Sequence, residues 1–470
     1  MRFTLFITDA LFFSLIAIAV IYFCYASKRE HLRAPWRQVT KNSLAMAAAT
    51  VLATFLTIAI LDSIHFFPRL DALDGVENEI HYASEVLSLF DLIVSPLREQ
   101  VEKTYSAPFA IHAFSKETLD LVEGRSVRDY PRLVYGGAHL NNISERTSDI
   151  VMRGMTGAVR GLLVWFSLTA VVFFCMSCKT SKTILSIVST ISRGDDEDGP
   201  CRTLMITTGI IAVMIGICAS LAPHYHVFGT DKVGTDVLYQ SLKSIRTGLI
   251  IGTLTTLVML PFAIFLGISA GYFRGWIDDL IQYLYTTLSS IPGVLLIASA
   301  ALLLEIYMSK HADEFGSLAA RADLRLLALC IILGITSWTG LCRLLRGEIL
   351  KLRESDFVEA ARAFGVRHTT LIARHMLPNI MHIVMISIVL DFSGLVLAEA
   401  VLSYINIGVD PSMESWGNMI NSARLELARE PIVWWSLLAA LAFMFVLVLA
   451  ANLFADAVRD AFDPRLRVLS

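Results

Sequence analysis

Apolar positions dominate nine stretches of the chain, roughly 8–26, 43–62, 158–178, 203–222, 247–270, 286–304, 324–342, 377–403 and 433–452. A helix rises ~1.5 Å per residue, so ~18–20 apolar residues cross a hydrocarbon layer ~30 Å thick, and the pattern predicts about nine membrane-spanning helices. The polar segments between them are uneven. Residues 63–157 mix polar and apolar positions. In HYASEVLSLFDLIVSPLREQVEKTY the spacing of Val86, Leu87, Phe90 and Val94 is helical, and Pro96, Pro108, Pro131, Gly136 and Gly137 punctuate the rest. This predicts a small, mainly helical domain. Residues 193–200, RGDDEDGP, read as an acidic linker. The chain thus divides into residues 1–200, three spans carrying the 63–157 domain, and residues 201–470, six spans with short loops. No internal repeat is visible.

Composition supports the pattern: 55% of 470 residues are hydrophobic and mean hydropathy is +0.62, more apolar surface than a soluble protein needs. The formal net charge of −3 says little; its distribution says more. Lys28, Arg29, Arg33, Arg37 and Lys41 follow the first span, and Lys179, Lys182, Arg193 and Arg202 follow the third. Arg343, Arg346, Lys351, Arg353, Arg362, Arg367 and Arg374 follow the seventh, and Arg459, Arg465 and Arg467 the ninth. These loops share one side if the spans alternate, and basic short loops stay cytoplasmic. The N-terminus and residues 63–157 are then outside and the C-terminus inside. The outside loops at 305–323 and 404–432 are poorer in basic residues; the loop at 223–246, with Lys232, Lys243 and Arg246, fits less well. The first span lacks the basic n-region and small-residue cleavage site of a signal peptide.

Candidate chemistry is sparse. None of the seven Cys falls in 63–157, so no disulfide is expected there. Cys175 and Cys178 read as two small apolar residues at the end of a span. His65, His81, His112 and His139 are scattered without ligand or triad spacing; His224 and His226 could ligate a metal but, as loop histidines near an interface, read as solvated. No catalytic or metal set follows. There is no G-x-x-x-x-G-K-[ST] to cradle ATP phosphates.

The exception to the apolar pattern is EAARAFGVRHTTLIARHMLPN, residues 359–379, a charged stretch between two spans. Asp356 and Glu359 have capping-box spacing, and Gly365 stands where a left-handed residue would end the helix. The helix between them is short, ~12 Å. Phe357, Val358, Ala361 and Phe364 recur at helical spacing as one apolar face, and Ala360 and Ala361 keep the helix thin. Thr369 is placed to cap a second short helix, and Pro378 to start the next span. A helix this short needs a support. It either rests on the lipid interface or fits a groove on a soluble partner. Within the eighth span, Asp391 and Glu399 lie two turns, about 12 Å, apart. Acids there are costly and commonly face a bundle interior or a water-filled path. A pathway role for Asp391, toward a peptide amino group, stands beside a buried hydrogen bond or interface packing; Glu399 suits a structural role near an outer gate.

Glu359, Ala360, Ala361, Gly365, Leu377 and Pro378 resemble the EAA loop of bacterial ABC-importer permeases, E-A-A, three residues, Gly, nine residues, I-x-L-P, with His375 in place of Ile. Three further stretches resemble the dipeptide/oligopeptide branch: FGTDKVGTDVL (228–238, with Thr235 replacing Arg), AEAVLSYINIGVDPSMESWGNMI (398–420) and RDAFDPR (459–465). The resemblance covers roughly 203–470 and is that of the C-type subunit. It implies an all-α, polytopic membrane protein: a six-helix type I importer core, residues 201–470, with a cytoplasmic coupling loop at about 347–378, behind an unrecognised extension, residues 1–200. It implies a bacterial inner-membrane permease, not an enzyme, that imports di- or oligopeptides. The partners implied are a second permease, two ATP-binding subunits that hold ATP and Mg, a periplasmic substrate-binding protein and membrane lipid, with no nucleic acid and no cofactor on this chain. Coupling would fall to Phe357, Glu359, Ala360, Ala361, Phe364 and Gly365. Nickel and antimicrobial-peptide permeases share these motifs. A membrane sensor would need an output domain, and the cytoplasmic loop after the third span has no room for one; a passive channel would need no docking loop.

Overall fold

The computed structural model describes residues 2–69, 82–83, 85–120, 126–180, 201–311 and 317–462. The 193–200 linker, His81, Lys182, Arg465 and Arg467 lie outside the described residues, as do the side chains of Cys175 and Cys178. The helices are α1 (Ile7–Ser27), α2 (Glu30–Lys41), α3 (Ser43–Asp62), α4 (Leu89–Ile93), α5 (Ser95–Glu99), α6 (Arg146–Thr180), α7 (Cys201–Leu221) and α8 (Val237–Phe273). After these come α9 (Trp276–Ser290), α10 (Gly293–Lys310), α11 (Leu318–Ser337), α12 (Thr339–Arg353), α13 (Asp356–Ala363), α14 (His368–Leu371), α15 (Leu377–Tyr404), α16 (Trp416–Glu426) and α17 (Trp435–Phe462). The protein is all-α and polytopic. Among the described residues eight helical stretches, not nine, are long and apolar enough to cross a membrane. The span expected at 324–342 falls on α11 and the start of α12. Arg321, Asp323 and Arg325 occupy the first turns of α11, and charge there is what sets it apart.

The expectation of a mainly helical domain at 63–157 does not hold. Its described part has short strands, β2 (His65–Phe67), β3 (Leu87–Ser88), β4 (Glu117–Asp120) and β5 (Ser126–Asp129), and only the five-residue helices α4 and α5 before α6 begins. β1 (Arg2–Thr4) pairs antiparallel with β2, and β2 with β3, in register Phe3↔Phe66 and His65↔Ser88. The helical spacing around Phe90 is real but yields one short helix, capped by a Ser88–Asp91 box. The next helix, α5, begins at once with Pro near its start. Proline and glycine spaced this closely leave no room for longer helices.

The chain forms two compact units, and residue 200 is not the boundary between them. One comprises Met1–Thr4, Arg37–Arg246 and Glu414–Ala450; the other comprises Leu5–Trp36, Thr247–Met413 and Ala451–Ser470. In the first unit α6 and α7 touch backbone to backbone. A Cβ on Gly157 would lie 2.5 Å from the Gly216 carbonyl, and one on Gly161 2.4 Å from that of Ala212. Small residues permit this approach, which is how apolar helices associate without a hydrophobic drive. The end of α7 continues into a core of Ile111, Leu140, Leu221, Tyr225, Val227 and Leu238. In the second unit Asp323 of α11 accepts from the backbone N–H groups of Ile7 (3.1 Å) and Thr8 (3.3 Å) and from the Thr8 hydroxyl. α1 has no capping side chain of its own, so a residue more than 300 positions away supplies the acceptor its first turn needs.

Candidate functional site

The short helix at 356–363 forms where the pattern places it. Its cap differs. Ser355, not Asp356, is the N-cap and makes no side-chain capping bond; the Ser355 hydroxyl instead donates to the Leu352 carbonyl. Asp356 and Glu359 lie inside the first turn, where their charge suits the helix dipole. The other end is as expected. Gly365 has φ +75°, its N–H donates to Arg362 (3.0 Å), and the Val366 N–H donates to Ala361 (3.2 Å). These two bonds are a Schellman closure. Thr369 does not cap α14; the N-cap is Arg367, one residue pair earlier. Pro378 sits in the first turn of α15, where its missing N–H is harmless.

The apolar residues of α13 do not make one face. Val358 is 2% exposed and joins a core with Ile349, Leu371, Met376 and Ile380, with Ala361 packed against it. Phe357 is 45% exposed and Phe364 88%. Positions 357, 360 and 364 share a side of the helix, so the outward side carries two phenyl rings around Ala360, flanked by exposed Glu359 and Arg362. Helical spacing alone did not separate the two sides because all four residues are apolar.

The seat beneath α13 is tied at both ends to the end of α8. Cβ atoms on Gly267 and Gly271 of α8 would lie 2.9 Å from Leu345 Cβ and 2.7 Å from Ile349 Cβ, so α8 and α12 are in close contact. Arg353 at the end of α12 donates to the Tyr272 carbonyl at 2.8 Å, and the Tyr272 hydroxyl is hydrogen-bonded to the His368 ring of α14. Arg346 grips Asp278 of α9 with two bonds of 2.6 and 2.8 Å, a bidentate geometry a lysine would not reproduce. α13 therefore hangs between α12 and α14, each anchored to one helix.

The two acids of α15 are in different surroundings. Asp391 is half-buried, and among the described residues it has no hydrogen-bond or ion-pair partner. Glu399 is buried and accepts from the Ser403 hydroxyl at 2.7 Å. Ser403 Oγ in turn faces the Val409 N–H, and a Cβ on Gly408 would collide with it. Glu399 thus supports the turn that follows α15.

The FGTDKVGTDVL stretch is a built turn. Asp231 accepts from the N–H groups of Val233 and Thr235 and from Gln240, and Asp236 caps α8 through Leu238 and Tyr239. The 94–114 segment lies across it. Glu102 N–H donates to Gly234, Thr230 N–H to Ser106, and Phe109 N–H to His226, each at 3.0–3.1 Å. A Cβ on Gly234 would overlap the Glu102 carbonyl. Trp435 Nε1 donates to Thr230 at 2.9 Å and Trp416 Nε1 to Ser241 at 3.1 Å.

His226, expected to be solvated, is 1% exposed. Its Nδ1 is 2.8 Å from Asp236, and its Nε2 is 3.5 Å from Glu102, an ion-pair contact too long for a hydrogen bond. Burial opposes its charge, but the Asp236 hydrogen bond and then Glu102 raise its pKa to about 9. Burial likewise works against the Glu102 carboxylate; His226 and the N–H groups of Tyr135, Val134 and Gly136 hold it at about 2. His224 is half-buried, 3.0 Å from Arg153. Lys243, counted from the sequence only as a loop charge, lies in α8 and donates to both Asp91 oxygens at 2.8 Å beside the Tyr239 hydroxyl; Glu414 was passed over. Burial lifts the Glu414 carboxyl to about 7; Lys243 opposes the shift, and Asp231, Asp62 and Asp91 add to it. Its position two residues before Trp416, in a motif already noted, was the available signal. Among the described residues no cluster could hold a metal ion.

A bundle of apolar helices that holds one short polar helix outward on a rigid seat belongs to the class of multi-pass membrane proteins. Residues 263–468 match the family of inner membrane components of binding-protein-dependent transport systems. Similar proteins include the dipeptide transport system permease of Lactococcus lactis, 31% identical over 51% of this chain and 64% of that protein. Others are the glutathione permease of Pectobacterium atrosepticum (30%, over 52% and 73%) and the oligopeptide permease of Haemophilus influenzae (29%, over 51% and 71%). The chain belongs to this family of inner membrane components and is a multi-pass membrane protein. The match spans just under two thirds of the Lactococcus protein and about half of this chain.

Proposed function

We propose that this chain is one of two permeases of an ATP-driven importer of di- or oligopeptides, with ATP hydrolysed on separate subunits that dock on α13. The observation that carries the reading is the outward side of α13, Phe357, Ala360 and Phe364 with Glu359 and Arg362, held on the buried seat of Val358. Apolar side chains on a thin helix suit a groove on a soluble partner. The ATP-binding subunits move α13 as they close. The Schellman closure and the ties to α8 make the movement a rigid-body one, so it reaches the spanning helices instead of being absorbed in a loop. Asp391, without a partner among the described residues, suits a wet path; Glu399 suits a structural post. The basic loops favour α13 in the cytoplasm and residues 63–157 outside, where a binding protein would deliver its load. Peptide cargo rests on the names of the relatives. Uptake by vesicles holding the complete complex and its binding protein tests it: labelled di- and tripeptides should accumulate with ATP and nickel should not. Nickel uptake without peptide uptake would overturn the cargo, and uptake without ATP would overturn the mechanism.

A further inference from the structure

Helices α3, α6 and α7 line a groove of about 470 Å³. Val164, Leu168, Ile211 and Ile215 are the large apolar residues of its wall. The hydroxyls that reach it are already used: Thr50, Thr54, Thr208 and Ser220 donate to the carbonyls of Met46, Thr50, Leu204 and Arg153. Arg160 is different. It lines the groove, it is exposed, and among the described residues it has no hydrogen-bond or ion-pair partner. Arg153, two turns earlier on the same helix, is paired with Asp149 through two bonds of 3.0 and 2.9 Å. An unpaired guanidinium in a spanning helix is costly and calls for an anion or for water.

The depth of Arg160 identifies the anion. Gly161 is against Ala212 and Gly157 is against Gly216 and Ser220, so the two helices run antiparallel and Arg160 is level with about residue 213 of α7. α7 ends at Leu221, roughly 12 Å away at ~1.5 Å per residue. A long Arg side chain bridges much of that distance by pointing toward the interface. Its charge is then carried toward the headgroup layer, and the Val164, Leu168 and Ile211 part of the wall continues from it toward the bilayer centre. A phosphate with an acyl chain beneath fits that order of polar and apolar surface; a soluble anion would use only the top of it. We propose that the groove between α3, α6 and α7 is a binding site for one anionic phospholipid, its headgroup phosphate on Arg160 and an acyl chain along Val164, Leu168, Ile211 and Ile215.

The test uses the full-length chain, carried in detergent with equal phosphatidylglycerol and phosphatidylcholine and weighed intact by native mass spectrometry. The wild-type chain should retain one phosphatidylglycerol in preference to phosphatidylcholine by about fivefold, the factor for one Arg at an anionic surface. Arg160→Gln should lose the preference, and Arg160→Lys should keep most of it. Ala219→Trp, which fills the groove, should lose retention of both lipids. Equal retention of the two lipids by the wild type would overturn the proposal without any variant, as would an undiminished preference in Arg160→Gln. Cross-linking of Ile211→Cys to another protein subunit in the assembled complex would overturn it too, since the groove would then be filled by protein.

Discussion

Gly365 has open space where a Cβ would sit, so only its backbone conformation restricts what can replace it. At φ +75° a β-branched residue costs ~1 kcal/mol or more, whereas Asn tolerates the left-handed region. Gly365→Asn should keep most ATP-driven uptake, and Gly365→Val should hydrolyse ATP with little uptake at matched membrane levels; equal uptake in the two would show that the Schellman closure is not what matters. His226 gives a pH prediction. Its pKa rises from 6.5 to about 9 on folding, so its charge contributes stability fully below about pH 6.5 and loses it as pH rises through 9. Glu102 falls from 4.5 to about 2; its contribution is present above pH 4.5 and is lost as pH falls through 2. The melting temperature of the purified chain should therefore decline between pH 7 and 10, and His226→Gln should flatten that decline while lowering the value at pH 7. Gly365 was legible in the sequence because its role is local. His226 was not: its carboxylates come from position 236 and from position 102 in the extension, and nothing at 226 announces either.

At the scale of the element, α13 joins a buried side to an outward one, and the two can be tested apart. Phe364→Ala removes a ring that is 88% exposed and should leave the melting temperature nearly unchanged while reducing the ATP-binding subunits recovered with the permease. Val358→Ala removes buried methyls and should cost about 1–3 kcal/mol, lowering the melting temperature as well. If Phe364→Ala destabilises the isolated chain, or leaves subunit recovery unchanged, the outward side is not the docking side. The ends of α13 were legible from Asp356 and Gly365 to within a residue, since caps and glycines act within one turn. The division of its apolar residues between two sides was not, because burial of Val358 depends on Leu371 and Ile380 of later helices. The spanning helices were legible from apolar length. The strands of 63–142 were not: β2 and β3 gain their partners from β1 and from each other across a long gap, and short-range spacing around Phe90 spoke for helix.

For the whole molecule, the extension is part of the frame. α6 lies backbone to backbone with α7, α1 is capped by Asp323, and the 94–114 segment covers the loop that holds Tyr225, His226 and Val227, all buried. Deleting residues 1–200 would remove all three supports at once. It would leave the His226 charge without Glu102 and expose the glycine surface of α7. The expected outcome is loss: the 201–470 chain should be recovered in low yield and fail to copurify with the second permease. Removing only the β4–β5 hairpin, whose strand residue Val127 is exposed and whose Glu117 meets the 94–114 segment through a surface ion pair with Lys103, should leave both assembly and uptake near wild type and serves as the control for an altered outer segment. Size-exclusion profiles and binding-protein-dependent uptake decide between a brace and a docking platform. If the 201–470 core assembles and transports with unchanged affinity for the loaded binding protein, neither role stands. If it assembles but needs more loaded binding protein to reach half-maximal uptake, the extension is a docking platform. Loss of the complex with the hairpin deletion still active is what the brace requires.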